Sequence, residues 1–539
     1  MDKQVSQNME NYIVTQPSDF QRKWHRTSVK VKLSPSMKQT EVKVMWDARL
    51  PLLIMSFLQS IAIYLHQMGD LIEFWLNTVS TNGGLAKVAS MILSGRSLES
   101  VQKNSENYFS AIGHLDLRTT LDNSILTSPS MDCKGHCDRG AIIRDNPDTK
   151  WAADLCIMAS KLAYENSFVI QKIVTNNWNM SMVGSYNFWN ENQQRHSTQA
   201  FLFHDRQENS QIIVLAFRGT EPFNAYDWST DFDFAWFELP QVGRLHVGFL
   251  EALGFLDRKK EHTFTEMKQK MDSTVDNSCS PSGLSEDVIN DPRKPLAYDE
   301  LTATIKSLLH SHKNAKLFIT GHSLGGALAT LFTAMLFSCK EDAVAERIAA
   351  VYTFGQPRAG NQQFANYMDA KLNTPICRYF RVVYSDDIVP RVPFDDEQFQ
   401  FKHFGRCFYY NRRYIQQTRE EEPNRNSSVL FYLFIPRMGA AWELVRSVIR
   451  IRDRESSFCI MFRLMGLLLP GVVAHNPANY VDAVRCGPEI LNPQVLDSRS
   501  VISRLISITR LKWHGFILNK CILNMLLIIA KAGSRHPAE

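Results

Sequence analysis

The 539-residue chain lacks the cysteine patterns that indicate a disulfide framework or a zinc site. Its ten cysteines are scattered and include no C-x-x-C pair. Cys133 and Cys137 flank His136, but two thiols and one histidine fall short of the four ligands of a structural zinc site. No internal repeat or long low-complexity tract is present. We therefore expect reduced thiols in a cytosol-facing protein and no metal site.

The N-terminal region lacks the apolar core and cleavage site of a signal peptide. Residues 1–44 are polar and rich in Lys and Arg, and the whole chain has a formal net charge of +5. No pattern typical of RNA or DNA binding is present. This mild basicity suits an anionic lipid surface and does not indicate a nucleic-acid partner. The sequence predicts a protein that is not secreted.

The strongest chemical signal is the stretch from Lys316 to Ala329. It reads as a short apolar strand, a sharp turn with a serine at its apex, and the start of a small-residue helix. Gly321 and Gly325 flank Ser323 in a G-x-S-x-G pattern, and they remove side chains that would block close approach of helix and substrate. This context predicts a nucleophile elbow, with Ser323 as nucleophile, on an α/β-hydrolase fold with a mostly parallel central sheet.

A serine nucleophile needs a base, and the base needs an orienting carboxylate; in this fold the carboxylate and then the histidine follow the serine. The strand that ends at Tyr384 leads to Asp387, our candidate acid. Asp386 is the near alternative, and both could be ordinary turn carboxylates. His475 stands in a loop ahead of a short helix and is the candidate base. The other downstream histidines are His403, which follows too closely, His514 and His536.

An oxyanion formed at Ser323 needs preorganised donors. The residue after the nucleophile, Leu324, offers one backbone N–H. The apolar strand Gln211–Phe217 ends in Arg-Gly-Thr, and Thr220 can offer both its N–H and its hydroxyl. The alternative for Thr220 is a plain strand-end turn.

Several motifs resemble those of the class 3 (fungal-type) lipases, and the resemblance covers roughly residues 198–487. Within that family the long N-terminal extension and the ending Ala474–Asp482 resemble the plant oil-body triacylglycerol lipases. The motifs that carry the family resemblance are Phe217–Thr220, His246–Phe249, Thr320–Gly326, Thr353–Asn361 and Asp387–Pro390.

The resemblance implies Ser323 as nucleophile, Asp387 as orienting acid, His475 as base and Thr220 in the oxyanion hole. It decides in favour of Asp387 over the neighbouring aspartate. It also implies a lid at about 221–242.

The expected lid interleaves aromatic and acidic side chains. Aromatic rings can cover an apolar cleft in water and swing open at an interface. The alternative is a packed loop whose aromatic side chains belong to the core. The aromatic residues are Trp228, Phe232, Phe234, Trp236 and Phe237, and the acidic ones are Asp227, Asp231 and Asp233.

Residues 50–69 contain no Asp, Glu, Lys or Arg, and their 20 positions match the length of a membrane span. Polar residues from Ser56 to Asn77 nevertheless recur mostly at three- and four-residue steps, which indicates one face of a helix. Pro51 suits the start of this helix and residues 82–84, Asn-Gly-Gly, suit its end. We expect an amphipathic helix that lies in a membrane or droplet interface; a bilayer span and docking on the enzyme's own core are the alternatives.

These features divide the chain into five parts. They are a polar basic segment (1–44), the amphipathic helix (45–84), an N-terminal helical extension (85–197), the hydrolase domain (198–490) and an apolar tail (491–539). Within the hydrolase domain we expect the lid, a mobile insertion at about 271–295 and an apolar cap at about 429–474.

The expected function is hydrolysis of long-chain acylglycerols, above all triacylglycerol, at a lipid-droplet surface, without a metal or an organic cofactor. A phospholipase A1 or galactolipase acting on bilayer lipid would use the same residues. A non-catalytic lipase-like signalling scaffold and a droplet-coating structural protein are the alternatives from other classes. The presence of nucleophile, acid, base and oxyanion residues favours the enzyme. The sequence does not indicate an oligomeric state.

Overall fold

The computed structural model divides the chain into two compact units, Met1–Ile54 and Met55–Glu539. All described residues belong to the second unit. They are residues 60, 62–122, 149–191, 193–206, 210–222, 224, 235–255, 294–393, 400–421, 429–448 and 457–487. The predicted tail and nearly all of the predicted insertion at 271–295 lie outside these ranges.

The described residues contain an eight-stranded mixed sheet and a four-stranded antiparallel one. The large sheet has the strand order β1-β2-β3-β6-β7-β9-β11-β12, and the small one β10-β8-β5-β4. The strands are β1 Met180–Asn190, β2 Arg195–Asp205, β3 Ile212–Phe217, β4 Trp236–Leu239, β5 Gly243–His246, β6 Lys316–His322, β7 Ile348–Phe354, β8 Gly360–Asn361, β9 Tyr379–Tyr384, β10 Phe401–Lys402, β11 Cys407–Tyr410 and β12 Gln416–Arg419.

The centre of the large sheet is parallel. β3, β6, β7, β9 and β11 pair in parallel with one another, while β1, β2 and β12 are antiparallel at the two edges. Parallel strands need crossover connections, which bring helices onto both faces of the sheet and bury its strands on both sides. β3 and β9 are accordingly buried at every position. This is the α/β-hydrolase fold with a mostly parallel central sheet that the sequence predicts.

Helices occupy the connections. In chain order they are α1 62–81, α2 Leu85–Leu93, α3 Ala111–Leu115, α4 Lys150–Leu162, α5 Ser167–Lys172, which continues as a π-helical turn Ile173–Asn177, α6 Val247–Ala252, α7 Ala297–Ser311, α8 Leu324–Ser338, α9 Asp342–Ala345, α10 Gln362–Leu372, a 3₁₀ turn Val389–Arg391, α11 Val429–Val448, α12 Ser457–Met465, α13 Pro470–Ala474 and α14 Pro477–Cys486.

Two apolar cores cover the two faces of the large sheet. The alternation of side chains along β3 sends Ile213 and Leu215 into one core with Leu328 of α8. The same alternation sends Val214 into the other core, together with Leu155 of α4 and Tyr480 of α14. Every one of these side chains is almost fully buried. Helix α8, which follows Ser323, and helix α14, which follows His475, therefore pack on opposite faces of one sheet.

The large sheet extends across the predicted boundary between an N-terminal helical extension and the hydrolase domain, at 197/198. β1 lies wholly before this boundary and pairs with β2 along its length. α4 also lies before it, yet its residues are buried in the same core as β3. The irregular exposure along β1, with register shifts after Met182 and Phe188, explains why no clean alternation marks this strand in the sequence.

Helix α1 docks on the protein through its polar side. Asn77 binds the backbone of Phe109 twice, with its Nδ2 donating to the carbonyl at 2.8 Å and its Oδ1 accepting from the N–H at 2.9 Å. Asn82 binds the backbone of Glu99 in the same two-point way. The apolar side of α1 is left on the surface, with exposed Ile63, Tyr64, Met68, Leu71, Phe74 and Trp75. Among the described helices none is long and apolar enough to cross a membrane.

The C-terminal part of the expected lid is a strand of the small sheet. β4 pairs with β5, and Phe237 and Leu239 are buried in the core on the α8 side. Phe237 therefore does not belong to a movable flap, because its side chain is held by packing; for this residue the alternative of a packed core aromatic is the one observed. Residues 223 and 225–234, which hold the other aromatic side chains of that segment except Trp236, lie outside the described residues.

Candidate active site

The turn between β6 and α8 places a buried serine at the C-terminal end of β6. Ser323 has φ 59° and ψ −134°, a left-handed backbone conformation that costs a non-glycine residue energy. The turn is too tight for neighbouring side chains. A Cβ on Gly321 would stand 2.2 Å from the backbone of Gly325, and one on Gly325 would stand 2.3 Å from the carbonyl oxygen of Phe217. The two glycines are therefore required by contact with backbone, which cannot move aside.

A continuous chain of hydrogen bonds joins Ser323, His475 and Asp387. The Oγ of Ser323 lies 2.8 Å from Nε2 of His475, and Nδ1 of the same ring lies 2.8 Å from Oδ2 of Asp387. The carboxylate is fully buried. Its other oxygen, Oδ1, accepts from the N–H of Val389 at 2.9 Å. Because a buried carboxylate can only accept, the imidazole carries its proton on Nδ1 and presents Nε2 to the serine as an acceptor.

The other residues that the sequence left open lie elsewhere. Asp386 is turned away from the imidazole and accepts from Arg412 through Oδ2 at 2.9 Å. His403 contacts the carbonyl oxygen of Pro390 through Nε2 at 2.7 Å. His514 and His536 lie outside the described residues.

The register of β3 and β6 places the two predicted oxyanion residues after the same ends of two neighbouring strands. These strands run parallel with Phe217 opposite Gly321. Thr220 follows the end of β3, and Leu324, the first residue of α8, follows the end of β6 at the same edge of the sheet. The N–H of Leu324 lies in the first turn of that helix, where backbone N–H groups point outward and favour negative charge.

Comparisons with known proteins show which family this chain resembles. Residues 214–397 match the family described as Lipase (class 3). The chain is 40% identical to triacylglycerol lipase OBL1 of Nicotiana tabacum over 78% of this chain and 79% of that protein. It is also 40% identical to triacylglycerol lipase OBL1 of Ricinus communis, over 79% and 83% of the two chains.

The chain belongs to the class 3 lipase family. It is a carboxylic ester hydrolase with lipase activity. Among solved structures, the Rhizomucor miehei triacylglyceride lipase aligns at 22% identity and a TM-score of 0.33, over 48% of this lipase and 82% of that chain.

In this lipase His322, beside the serine, forms a hydrogen bond to the backbone of the turn that carries His475. Its Nε2 lies 2.9 Å from the carbonyl oxygen of His475, and its Nδ1 lies 2.8 Å from the hydroxyl of Tyr164. Burial, followed by the neighbouring His475, lowers the pKa of His322 well below its usual range, so the ring is neutral. A carbonyl can only accept, so Nε2–H donates to His475 and Nδ1 accepts from the Tyr164 hydroxyl. Sequence reasoning missed both residues, although His322 stands inside the elbow motif.

Tyr480 is a second residue that the sequence analysis did not single out. Its hydroxyl donates to Oδ2 of Asp387, the oxygen that also faces His475. Burial and the adjacent carboxylate raise the pKa of Tyr480 well above its usual range, so the phenol stays protonated and remains a donor. The position lies in the motif after His475, but nothing in that motif indicates which side chain turns inward.

A cavity of about 520 Å³ opens beside the segment that follows β3. Its lining includes Glu73, Glu165 and Glu221 and none of the predicted catalytic residues. Ser110 donates its N–H and its hydroxyl to Glu165 over 2.7 and 2.9 Å, and burial raises the pKa of Glu165 to about 7. Because carboxyl groups do not suit an acyl chain, we do not assign this cavity to acyl binding. Within the described ranges no cluster of three His, Cys, Asp or Glu side chains could hold a metal ion.

Proposed function

We propose that the lipase hydrolyses acylglycerol esters through Ser323, His475 and Asp387. The observation that carries this proposal is the hydrogen-bond chain Ser323 Oγ to His475 Nε2 and His475 Nδ1 to Asp387 Oδ2, with both distances 2.8 Å. An alcohol is a poor nucleophile until a base takes its proton. The hydrogen-bond chain supplies such a base, because it holds His475 in one tautomer next to the serine.

The reaction then follows in two halves. Ser323 Oγ attacks the ester carbonyl while Nε2 of His475 takes its proton, and the buried carboxylate of Asp387 stabilises the imidazolium that forms. The N–H of Leu324 and the N–H or hydroxyl of Thr220 bind the oxyanion. His475 returns the proton to the leaving alcohol, so that an acyl-enzyme remains. Water activated by the same histidine hydrolyses the acyl-enzyme and frees the fatty acid.

Triacylglycerol with long acyl chains is the substrate that we propose. Two of the relatives above are named triacylglycerol lipases, and each covers more than three quarters of this chain. An emulsion assay tests the proposal by comparing fatty-acid release by the wild type and by Ser323→Ala at matched folding. We expect release from a trioleoylglycerol emulsion that the substitution abolishes. Release from phospholipid or galactolipid vesicles alone would assign the enzyme to bilayer lipid, and no release from either would favour the non-catalytic scaffold.

We propose that the enzyme acts at a lipid-droplet surface. The support comes from α1, whose polar side is bound to the protein while apolar side chains such as Leu71 and Trp75 remain exposed. An exposed apolar helix face in water is unfavourable, and it becomes favourable when the face lies in a lipid interface. Exposed apolar side chains also line the outer side of the expected cap, where they include Met438, Trp442 and Leu468.

Flotation with phospholipid-coated triacylglycerol droplets tests this location. We expect Leu71→Gln with Trp75→Gln to lower the droplet-bound fraction while hydrolysis of a soluble short-chain ester stays unchanged. The matched control is Ile376→Gln, because Ile376 is 70% exposed but precedes β9, at the end of the sheet away from Ser323. Equal droplet binding by the double variant and the control would contradict a role for α1 in docking.

A further inference from the structure

A carboxylate is buried inside the expected cap, where an apolar residue would be less costly. Along α11 the inner side is formed by buried Ala440, Glu443 and Ser447, and the outer side carries exposed Trp442. The side chain of Glu443 is only 3% exposed. An ionised carboxylate in such a place is strongly unfavourable unless it is paired and hydrogen-bonded.

Glu443 is paired on both oxygens. Oε1 accepts from the hydroxyl of Tyr384 at 2.7 Å and forms an ion pair with Nη1 of Arg412 at 2.9 Å. Oε2 faces Nη1 of Arg463, on α12, at 3.4 Å. One cap residue therefore contacts three separate segments. They are the end of β9, the turn between β11 and β12, and helix α12.

One branch of this cluster leads to the loop that carries Asp387. Arg412 donates through Nη2 and Nε to Oδ2 of Asp386, over 2.9 and 3.2 Å. Tyr384 is the last residue of β9, and the backbone N–H of Asp387 donates to its carbonyl at 3.1 Å. Glu443 thus holds, through two partners, both sides of the short turn from which Asp387 projects.

The other branch leads to the turn that carries His475. Arg463 donates to Oδ1 of Asn479, on α14, at 3.4 Å. The amide Nδ2 of Asn479 donates to the carbonyl oxygens of Val473 and Ala474, over 2.9 and 3.4 Å. These are the two residues that precede His475. Asn479 is fully buried, so its orientation is set by these partners and not by solvent.

The two branches end on the two sides of a single hydrogen bond, the 2.8 Å contact between Nδ1 of His475 and Oδ2 of Asp387. The cap is inserted in the chain between these two residues. We propose that Glu443 is a positioning residue, which ties the Asp387 loop and the His475 turn to the cap and so fixes the imidazole against Ser323. This inference rests on the catalytic roles proposed above, and it assigns the cap a part in the chemistry in addition to covering a cleft.

A purely structural role predicts a different outcome from a positioning role. Buried ion pairs can often be replaced by apolar residues of similar size without loss of stability, whereas removal of one partner strands the other charges. Replacement of the cluster by apolar residues therefore restores most of the stability. It does not restore the hydrogen bonds that tie the Asp387 loop and the His475 turn to the cap. Stability and catalytic rate should separate in such a variant.

The experiment compares Glu443→Gln with the triple replacement Glu443→Met, Arg412→Leu and Arg463→Met in the full-length chain, using a soluble short-chain ester. In both variants we expect kcat to fall about 10- to 100-fold, the scale of a small misplacement of reacting groups, with KM within about twofold. The triple variant should regain most of the stability that Glu443→Gln loses, but less than the wild type has, because Arg412→Leu also removes the cation that pairs with Asp386. Glu443→Asp, which keeps the charge, should recover part of kcat.

The matched control is Glu341→Gln, which removes a second largely buried carboxylate from its ion pair, in this case with the partly exposed Lys306 at 2.5 Å. Glu341 lies beyond the C-terminal end of α8, whereas Ser323 lies at its N-terminal end, about 22 Å away along a 15-residue helix. We expect this control to lose stability and keep kcat. A triple variant that regains both stability and wild-type kcat would overturn the positioning role. Ser323→Ala, measured alongside, distinguishes failure of the positioning role from failure of the proposed chemistry. If Ser323→Ala retains full activity, the catalytic assignment is wrong, and the inference about Glu443 is wrong with it.

Discussion

Replacement of Asp387 by asparagine should remove the general base without removing any atom of the histidine. In the native site Oδ1 of Asp387 accepts from the N–H of Val389, and Oδ2 faces His475 and Tyr480. An asparagine must keep its carbonyl oxygen toward Val389, since a backbone N–H cannot accept. Its NH₂ group then points at Nδ1 of His475.

The consequence is a change of tautomer. An imidazole that accepts at Nδ1 carries its proton on Nε2, and this proton points at Ser323 Oγ, 2.8 Å away. The ring can no longer take the serine proton. We expect kcat to fall by about 10⁴-fold, the scale seen for the wrong tautomer in a Ser-His-Asp triad, which corresponds to about 5.5 kcal/mol of transition-state stabilisation.

Hydrolysis of a soluble short-chain ester, measured as kcat and KM, is the assay, with circular dichroism and thermal unfolding to verify the fold. Asp386→Asn is the informative comparison, because an asparagine there can still accept from Arg412 through its carbonyl oxygen. Its kcat should fall no more than about tenfold, within the energy of one weakened charge-assisted hydrogen bond. An Asp387→Asn enzyme that keeps more than about a tenth of its activity, or two aspartate variants with equal losses, would refute the tautomer reasoning.

Three further predictions concern the elbow, the acid and a buried carboxyl. Gly325→Ala places a Cβ 2.3 Å from the carbonyl oxygen of Phe217, so we expect a loss of about 3 kcal/mol in denaturant unfolding; an unchanged midpoint would show that the elbow relaxes. Tyr480→Phe removes a donor to Asp387 and should lower kcat about 10-fold, equivalent to one charge-assisted hydrogen bond, with the fold intact by circular dichroism; wild-type kcat would contradict this. Because burial raises the pKa of Glu165 from 4.5 to about 7, the native state holds a proton that the unfolded chain has released between these values, and stability falls as pH rises through that window. Glu165→Gln should abolish this loss, on the order of 3 kcal/mol between pH 4.5 and 8, and parallel stability–pH curves for variant and wild type would contradict it.

Much of the fold and of the elbow is determined locally in the sequence. The apolar run before Ser323, the flanking glycines and the small-residue helix after it are adjacent in the chain, and each acts through backbone geometry and close contact. The same holds for the end of α1, where Gly83 and Gly84 adopt positive φ angles beyond the last helical residue. Such features are predictable because the residues that cause them are neighbours.

The partners of the serine are decided by the tertiary structure. Asp386 and Asp387 are adjacent residues of the same type in one turn. Only the direction of the chain after β9 brings Asp387 to His475 and Asp386 to Arg412. Tyr164 reaches His322 across 158 positions of the chain, and Tyr480 reaches Asp387 across 93. No local pattern encodes these contacts.

The large sheet also extends across the predicted division at 197/198. β1 and α4 read as a separate extension because their partners, β2, β3 and β6, come later in the chain. Glu443 likewise reads as one charge on an apolar helix until Arg412, Arg463 and Tyr384 surround it. The sequence determined the chemistry that each segment can offer, whereas the sheet determined which side chains meet, because hydrogen bonds and ion pairs require atoms within about 3 Å and only the packed fold brings distant segments so close.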